Sequence, residues 1–395
     1  MSTTYDVAIV GGGPAGGTCA HALVAGGARV VVLDRAQFPR VKLCAGWLSP
    51  AIWDVLQLSP REYPRGLWEW SVCHVHYRGR DHAIPGKGWF IRRVELDDFL
   101  LRRSGADLRL GVHVKQIERD AGEPRWSLEL PDGETIHARY LVGAGGTHCP
   151  VARLLAPARP RRAVGVQELE LPADPAVIER TRLGRDGEPE LVLFDSVGGY
   201  GWNVPKSDWL NVGCGTLDAQ AVRGAWQVTY GHLRAAGHVP PEAEAALEHI
   251  KGYSYFLFDP AHLETASRDD ALLVGDALGL AHPITAEGIL PAVVSGRCAA
   301  EAILAGDTAG YAARLARHEV IADYRRVHRL VAAARALRRR TAGGSSSLPS
   351  RIGSRLASRV GSRAVARGFG WMFSGARLPA PRLVDRVLDL LPDGR

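Results

Sequence analysis

The sequence predicts an α/β protein: a parallel, nucleotide-binding sheet, a second domain rich in antiparallel strands, and a helical C-terminal region. Three observations predict it. Two β-branched apolar runs, "YDVAIV" and "ARVVVLD", flank the glycine-rich turn "GGGPAG" and a helical stretch. A β-rich stretch interrupted by turn residues runs from about 162 to 215. A further strand ends in a glycine–acid pair late in the chain, in "ALLVGDALG". A chain of 395 residues exceeds one ordinary core, so two or three domains are expected.

"YDVAIV" reads as a strand buried on both faces, because it is a continuous apolar run and does not alternate. A helix is expected from the turn through Ala25, stopped by Gly26 and Gly27. "ARVVVLD" then reads as a second buried strand. Gly11, Gly13 and Gly16 satisfy G-x-G-x-x-G, with Pro14 and Ala15 inside the motif and Asp34 and Arg35 closing the second strand. This is a complete Rossmann-like unit. Its glycines allow a tight turn, close approach to a pyrophosphate and close helix–sheet packing. The helix N-terminus offers unpaired N–H groups to phosphates. Asp34 stands at the spacing at which an acid accepts hydrogen bonds from a ribose.

"HVHYRGRDHAIPGKGWFIRR" reads as strand, turn, strand, and "VELDDFLLRRSG" as a helix. "LRLGVHVKQIERD" and "RWSLELPDGETIHARYLVGAGG" read as a meander with its hairpin turn at "PDGE". A helix is expected over roughly 218–249. "ALLV" reads as a strand entering Gly275 and Asp276, and a helix begins near Glu287 and Gly288, with Ile289 in its first turn. An acid after a close-approach glycine can bind a polyol hydroxyl, and the helix N-terminus can face negative charge. NAD has no ribityl chain and FAD has one, so this second element points to FAD.

"GGGPAG", "FIRRVELD" and "LLVGDALGLAHPITAEGI", in that order, resemble the signature of the glutathione-reductase-like flavoproteins related to p-hydroxybenzoate hydroxylase. The resemblance implies FAD, with Asp276 on its ribityl chain and Arg93 near the cofactor. "LVGAGGTHCPVAR" resembles another element of that group, with Gly145 in place of its aspartate. Two further motifs resemble the geranylgeranyl reductases. "PRVKLCAG" matches P-x-x-K-x-C-G-G except at Ala45. "YGWNVPKSDWLNVGCG" matches Y-x-W-x-F-P-x(7–8)-G-x-G except at Val204. The resemblance covers roughly residues 1–330. It implies an FAD-dependent oxidoreductase that reduces C=C bonds of an isoprenoid or other apolar substrate. It also implies catalytic roles for Cys44 and Lys42 near the flavin, and substrate binding by Tyr200, Trp202 and Pro205.

The residues themselves leave alternatives. A free thiol, with a pKa of about 8.5, holds a proton to give at neutral pH, and Lys42 either lowers that value or stabilises reduced flavin. Cys44 and Lys42 are equally a packed small residue and a solvated charge on residue type alone. Tyr200 and Trp202 share one face of a strand, as a pocket wall or as core. Lys206 reads as a solvated strand-end charge, and His282 as either near the flavin or structural. "YGWNVP" also approaches the W-x-W-x-I-P motif of flavin halogenases. The alternative functions are therefore a flavin-dependent monooxygenase or halogenase on a small aromatic or polyketide-like substrate, and a non-enzymatic prenyl-binding carrier.

Expected boundaries are 1–70, 91–161 and 266–330 for the three parts of the FAD-binding domain, 71–90 and 162–265 for the substrate domain, and 331–395 for the basic helical C-terminal region. No second nucleotide motif follows a strand, so electrons are expected from transiently docked NAD(P)H or a reduced redox protein. Six scattered cysteines without CxxC point to a reducing cytoplasm, and "CHVH", with Cys73, His74 and His76, reads as a strand and not a metal site. The N-terminus lacks the basic n-region of a signal peptide.

The net charge is +7. From Arg325 onward there are 16 Arg and three acids, or +13, which leaves −6 for the rest. That distribution argues against nucleic acid on the body. Arg351, Arg355, Arg359, Arg363 and Arg367 recur every four residues beside Ile352, Leu356 and Val360. On a helix these form adjacent basic and apolar stripes. Such a helix suits an anionic membrane surface, and equally suits docking on the acidic body.

Overall fold

The structure is a computed structural model. It describes residues 2–342 except 124, 158–162, 181–187, 195–197, 241–243 and 245. The arginine repeat from Arg351 to Arg367 lies outside the described residues.

Strand β1 (Ser2–Val10) runs into helix α1 (Pro14–Ala25), and β2 (Val30–Asp34) returns parallel to β1. Val7, Ala8, Ile9, Val31 and Val32 are all sealed from solvent. That is why the two runs are uniformly apolar instead of alternating. The short β3 (Trp47–Leu48) and α2 (Ala51–Leu56) precede a hairpin of β4 (Trp68–Tyr77) and β5 (Arg80–Phe90). Helix α3 (Arg93–Arg103) leads to β6 (Asp107–Leu110). Then β7 (Gln116–Arg119), β8 (Trp126–Glu129) and β9 (Thr135–Gly143) form a meander, and β9 lies parallel beside β1. The turn at Gly133 closes β8 on β9 as expected from "PDGE".

One expectation is corrected here. β6 does not join the meander; it is a parallel edge partner of β2. Gly111, at φ +75°, breaks the chain between β6 and β7, so the two strands join different parts of the sheet.

After α4 (Pro150–Leu155) the chain builds its second sheet. It uses β10 (Ala163–Pro172), then, beyond α5 (Pro175–Arg180), β11 (Glu190–Leu193), β12 (Gly199–Lys206) and β13 (Trp209–Thr216). Helix α6 (Val222–Ala235) packs on this sheet, and β14 (Lys251–Phe256) adds its edge. The helix expected over 218–249 ends early. Gly237, at φ +73°, and His238 return their N–H groups to Arg234 and Leu233, a left-handed C-terminal cap, and Pro240 follows. β15 (Ser267–Arg268) and β16 (Ala271–Leu273) complete the first sheet, followed by α7 (Ile289–Leu304), α8 (Tyr311–Arg317) and α9 (Glu319–Ala342).

Among the described residues two eight-stranded sheets result. The first runs β15-β16-β9-β1-β2-β6, with β7 and β8 attached through β9. The second runs β14-β10-β13-β12-β11-β4-β5-β3. One face of the second sheet carries Val164, Val166, Trp202 and Val204; the other carries Leu169, Leu171, Leu210 and Val212 against Trp226 and Leu233 of α6. α1 packs on α7 and α3. All six cysteines are free. No helix among the described residues is long and apolar enough to cross a membrane.

Candidate functional site

The turn after β1 sets the first wall of the site. Gly11 has φ +117°, and a side chain there would strike the Ala144 carbonyl carbon at 2.4 Å. Only glycine fits so close a crossing of the β1 and β9 ends. A Cβ on Gly16 would lie 1.9 Å from the Gly11 carbonyl oxygen, which keeps α1 tight on the turn. Asp34 Oδ2 accepts from the Gly12 N–H at 2.7 Å and Oδ1 from the Ala36 N–H at 2.9 Å. Its carboxylate is thereby oriented across the N-terminus of α1.

The late element meets this turn. Gly275 adopts φ +56° and its N–H donates to Ser295 Oγ at 2.9 Å. A Cβ on Gly288 would lie 3.3 Å from Asp276 Oδ1, so the acid lies across the start of α7. Both elements line one cavity of about 710 Å³. Gly11, Gly13, Pro14, Ala15, Asp34, Arg35, Arg93, Gly275, Asp276, Gly288 and Ile289 all line it, as do Lys42, Cys44, Tyr200 and Trp202. Of the predicted site residues, Gly16 and Pro205 do not. Gly16 serves helix packing. Pro205 alternates to the face of β12 opposite Tyr200 and Trp202.

A side-chain-free turn beneath a helix N-terminus, an acid at the end of β2 and a second acid by α7 are the donor and acceptor set that a dinucleotide carrying a polyol requires. The residues fit FAD. Arg93 is buried within this set. Its guanidinium makes a two-pronged bond to Asp97, Nε to Oδ1 at 2.6 Å and Nη2 to Oδ2 at 2.7 Å. Arg40 joins the same carboxylate at 3.1 Å. Asp97 is fully sealed, so Asp97→Ala leaves the buried Arg93 without its two-pronged partner. Urea denaturation of D97A is expected to show a loss of about 3–5 kcal/mol.

The thiol loop forms a further part of the cavity wall. Cys44 is the one cysteine of the six that is not buried in the core. Its amide donates to Glu168 Oε1 at 2.8 Å, and its Sγ accepts from the Gly46 N–H at 3.3 Å. Burial pushes the thiol up, while the Arg93 charge pulls it down. Lys42 lines the same cavity, and its Nζ lies 3.6 Å from the centroid of the Tyr253 ring on β14. Lys206 is a correction. It is completely buried, its Nζ bonded to Glu170 Oε1 at 3.0 Å, because β12 alternation turns it inward with Trp202 and Val204.

Tyr200 and Trp202 form the aromatic wall, with ring centroids 5.9 Å apart. The "G-x-G" of β13 explains itself here. Trp202 pairs with Gly213 across the strands, and a Cβ at Gly213 would stand 2.3 Å from the indole. The ring lies flat over a strand that glycine keeps bare. Trp202 Nε1 donates to Asn211 Oδ1 at 2.7 Å, and the Tyr200 hydroxyl donates to the Thr285 carbonyl.

His282 is structural. It lies outside the cavity lining, edge-on to Tyr324, and its Nδ1 accepts from the N–H groups of Ile284 and Thr285 at 3.2 and 3.0 Å. Burial pushes the imidazole down to about 3. The folded state resists a proton that the unfolded chain takes up below about pH 6.5. Its contribution is therefore complete above pH 6.5 and is lost as pH falls toward 3. His282→Asn keeps an acceptor and does not titrate, so its urea midpoint is expected to fall less than the wild type's between pH 6.5 and 4.

Sequence reasoning missed Glu168, Asn211 and Glu287. Burial raises both Glu168 and Glu287 to about 7. Glu287 Oε1 accepts from Ser49 Oγ at 3.1 Å. The signal for Glu168 was present: in "AVGVQELELP" it shares the parity of Val164 and Val166, an acid at an inward strand position.

A family model described as an FAD binding domain matches residues 4–57. A menaquinone reductase of Mycolicibacterium smegmatis is 29% identical, over 79% of this chain and 79% of the relative. A digeranylgeranylglycerophospholipid reductase of Methanopyrus kandleri is 27% identical, over 77% of this chain and 79% of the relative. A geranylgeranyl bacteriochlorophyll reductase-like structure from Thermoplasma acidophilum superposes with a TM-score of 0.61 at 17% identity, covering 99% of this chain and 92% of the other. A flavin-dependent brominase superposes at 0.65 with 19% identity, covering 98% of each chain. At these identities the two structures share the fold.

Proposed function

We infer, for a chain that belongs to the geranylgeranyl reductase family of FAD-dependent oxidoreductases, that its reaction is the saturation of C=C bonds in an isoprenoid or other apolar substrate. Reduced FAD, when bound, supplies the hydride that this reaction consumes. The chain's own residues supply the proton and the pocket. One observation carries the reading: Cys44 and the Tyr200–Trp202 wall line the same cavity as the two glycine–acid elements.

The wall favours a hydrocarbon. The indole N–H of Trp202 and the hydroxyl hydrogen of Tyr200 are both already donated, to Asn211 and to the Thr285 carbonyl. The two rings offer carbon surface, which gains by covering an apolar chain. Cys44, raised by burial, keeps its proton at neutral pH and can hand it to the second carbon of a double bond. The relatives named for menaquinone and for digeranylgeranylglycerophospholipid reduction bear names of isoprenoid-bearing lipids, and the same class of substrate is proposed here. Electrons are proposed to come from NAD(P)H or a reduced redox protein. Contact with a membrane surface through the basic C-terminal region is part of the same proposal.

The test is anaerobic. Dithionite-reduced protein is incubated with geranylgeranyl lipids, and a mass gain of two hydrogens per saturated bond is expected. Product that forms only when oxygen is admitted would replace this reading with monooxygenase or halogenase chemistry. A purified protein that carries no yellow cofactor and still binds prenyl chains would replace it with a carrier.

A further inference from the structure

Strand alternation places an unusual set of polar groups on the cavity face of the second sheet. Glu168 and Glu170 of β10, Asn211 of β13 and Lys206 of β12 share the face that carries Val166 and Trp202. Glu168 is 2% exposed and lines the cavity. Its Oε1 accepts twice, from the Cys44 amide at 2.8 Å and from Asn211 Nδ2 at 2.7 Å. The same Asn211 nitrogen reaches the Cys44 carbonyl at 3.4 Å, and the asparagine's oxygen holds the Trp202 indole. One carboxyl thus ties the thiol loop to the aromatic wall. Among the described residues no hydrogen bond falls on Glu168 Oε2, which leaves that oxygen to carry a proton.

We propose that Glu168 is the proton reservoir of the cavity: it returns a proton to Cys44 after each transfer, while its other oxygen anchors the thiol loop. The proposal rests on the reaction inferred above. Each saturation consumes a hydride, with its two electrons, and one proton. In the first proton step the Cys44 S–H bond breaks and a C–H bond forms, leaving a thiolate. In the second the Glu168 O–H bond breaks and the S–H bond re-forms, leaving a carboxylate that solvent protonates through the cavity mouth. A carboxyl raised to about 7 by burial is half protonated at neutral pH, which suits it to both halves of the cycle. The charges that face this exchange are Arg93 of α3 and Lys206 of β12, which favour the thiolate, and Glu170 of β10, which disfavours the Glu168 carboxylate.

Glu168→Gln separates the two roles. The amide oxygen still accepts from Cys44 and Asn211, so the anchor stays, but no proton is available. The first saturation per enzyme is expected to occur, because Cys44 begins protonated, and the later steady rate to fall about 100-fold. Glu168→Asp, which keeps an ionisable proton, is expected to restore most of that rate. A readout independent of turnover is alkylation of Cys44 by iodoacetamide in the oxidised holoenzyme, mapped by mass; the other five cysteines are buried. Removal of a negative neighbour is expected to move the pH of half-alkylation downward in E168Q. A steady rate and an alkylation profile both equal to wild type would overturn the proposal. So would equal loss of the first and later turnovers with an unmoved profile, which would make Glu168 an anchor only. If wild-type protein saturates no isoprenoid, the reaction reading fails, and the alkylation shift still reports whether Glu168 governs Cys44.

Discussion

Cys44→Ala is expected to slow anaerobic saturation of a geranylgeranyl chain by about 10²- to 10⁴-fold, the range in which a positioned general acid acts. The cofactor should stay. The Cys44 amide, which holds Glu168, is backbone and survives the substitution, and none of the glycine–acid elements depends on the sulfur. The purified variant should therefore remain yellow with the wild-type ratio of flavin to protein. Rapid mixing of reduced enzyme with substrate under nitrogen measures the effect. Cys44→Ser should recover little, because a hydroxyl in the same half-buried place holds its proton far more tightly than a thiol. A C44A enzyme as fast as wild type would remove the thiol from the chemistry and return Cys44 to being a small packed side chain.

Gly16→Ala is expected to cost the protein both stability and FAD. The added methyl would sit 1.9 Å from the Gly11 carbonyl oxygen, and both partners are backbone, so no side chain can rotate aside. Either α1 moves off the β1 turn or the turn opens. The overpacking itself costs about 1–3 kcal/mol or more. Moving α1 also breaks its packing on α7, where a Cβ on Gly296 would already lie 2.3 Å from the Ala15 carbonyl oxygen. The N–H groups meant for the pyrophosphate then point away from it. Flavin retained after gel filtration and the thermal midpoint should both fall. G16A that keeps its full flavin complement would show that the turn tolerates displacement and that the close crossing is not what holds the cofactor.

Much of the first domain was legible along the chain. β1, α1 and β2 appear where their apolar runs and the GGGPAG turn predict, and α7 starts at Gly288 as expected. These are local features. A strand buried on both faces must be apolar throughout, and a turn that crosses another backbone closely needs glycine. β6 was misread because its short run carries no mark of the partner it will meet. Whether "DLRL" pairs with β2 or continues into β7 depends on residues 76 positions away. The helix at 218–249 was overextended because a Gly237 that ends a helix and a glycine that merely weakens one look alike in sequence.

What the sequence determined by itself is the pair of glycine–acid turns, the order of strands and helices around them, and the presence of one thiol motif and one aromatic motif. Those depend on steric demands that a few adjacent residues satisfy alone. Only the tertiary structure decided that Lys206 is buried against Glu170, that Lys42 covers the Tyr253 ring, and that Pro205 faces away from the cavity. It alone brought Glu168 onto the amide of Cys44 and Asn211, 43 residues further on, onto Glu168 and the Cys44 carbonyl. Such pairings are set by sheet register and by which face of a strand another domain covers, and strands distant in sequence fix both together.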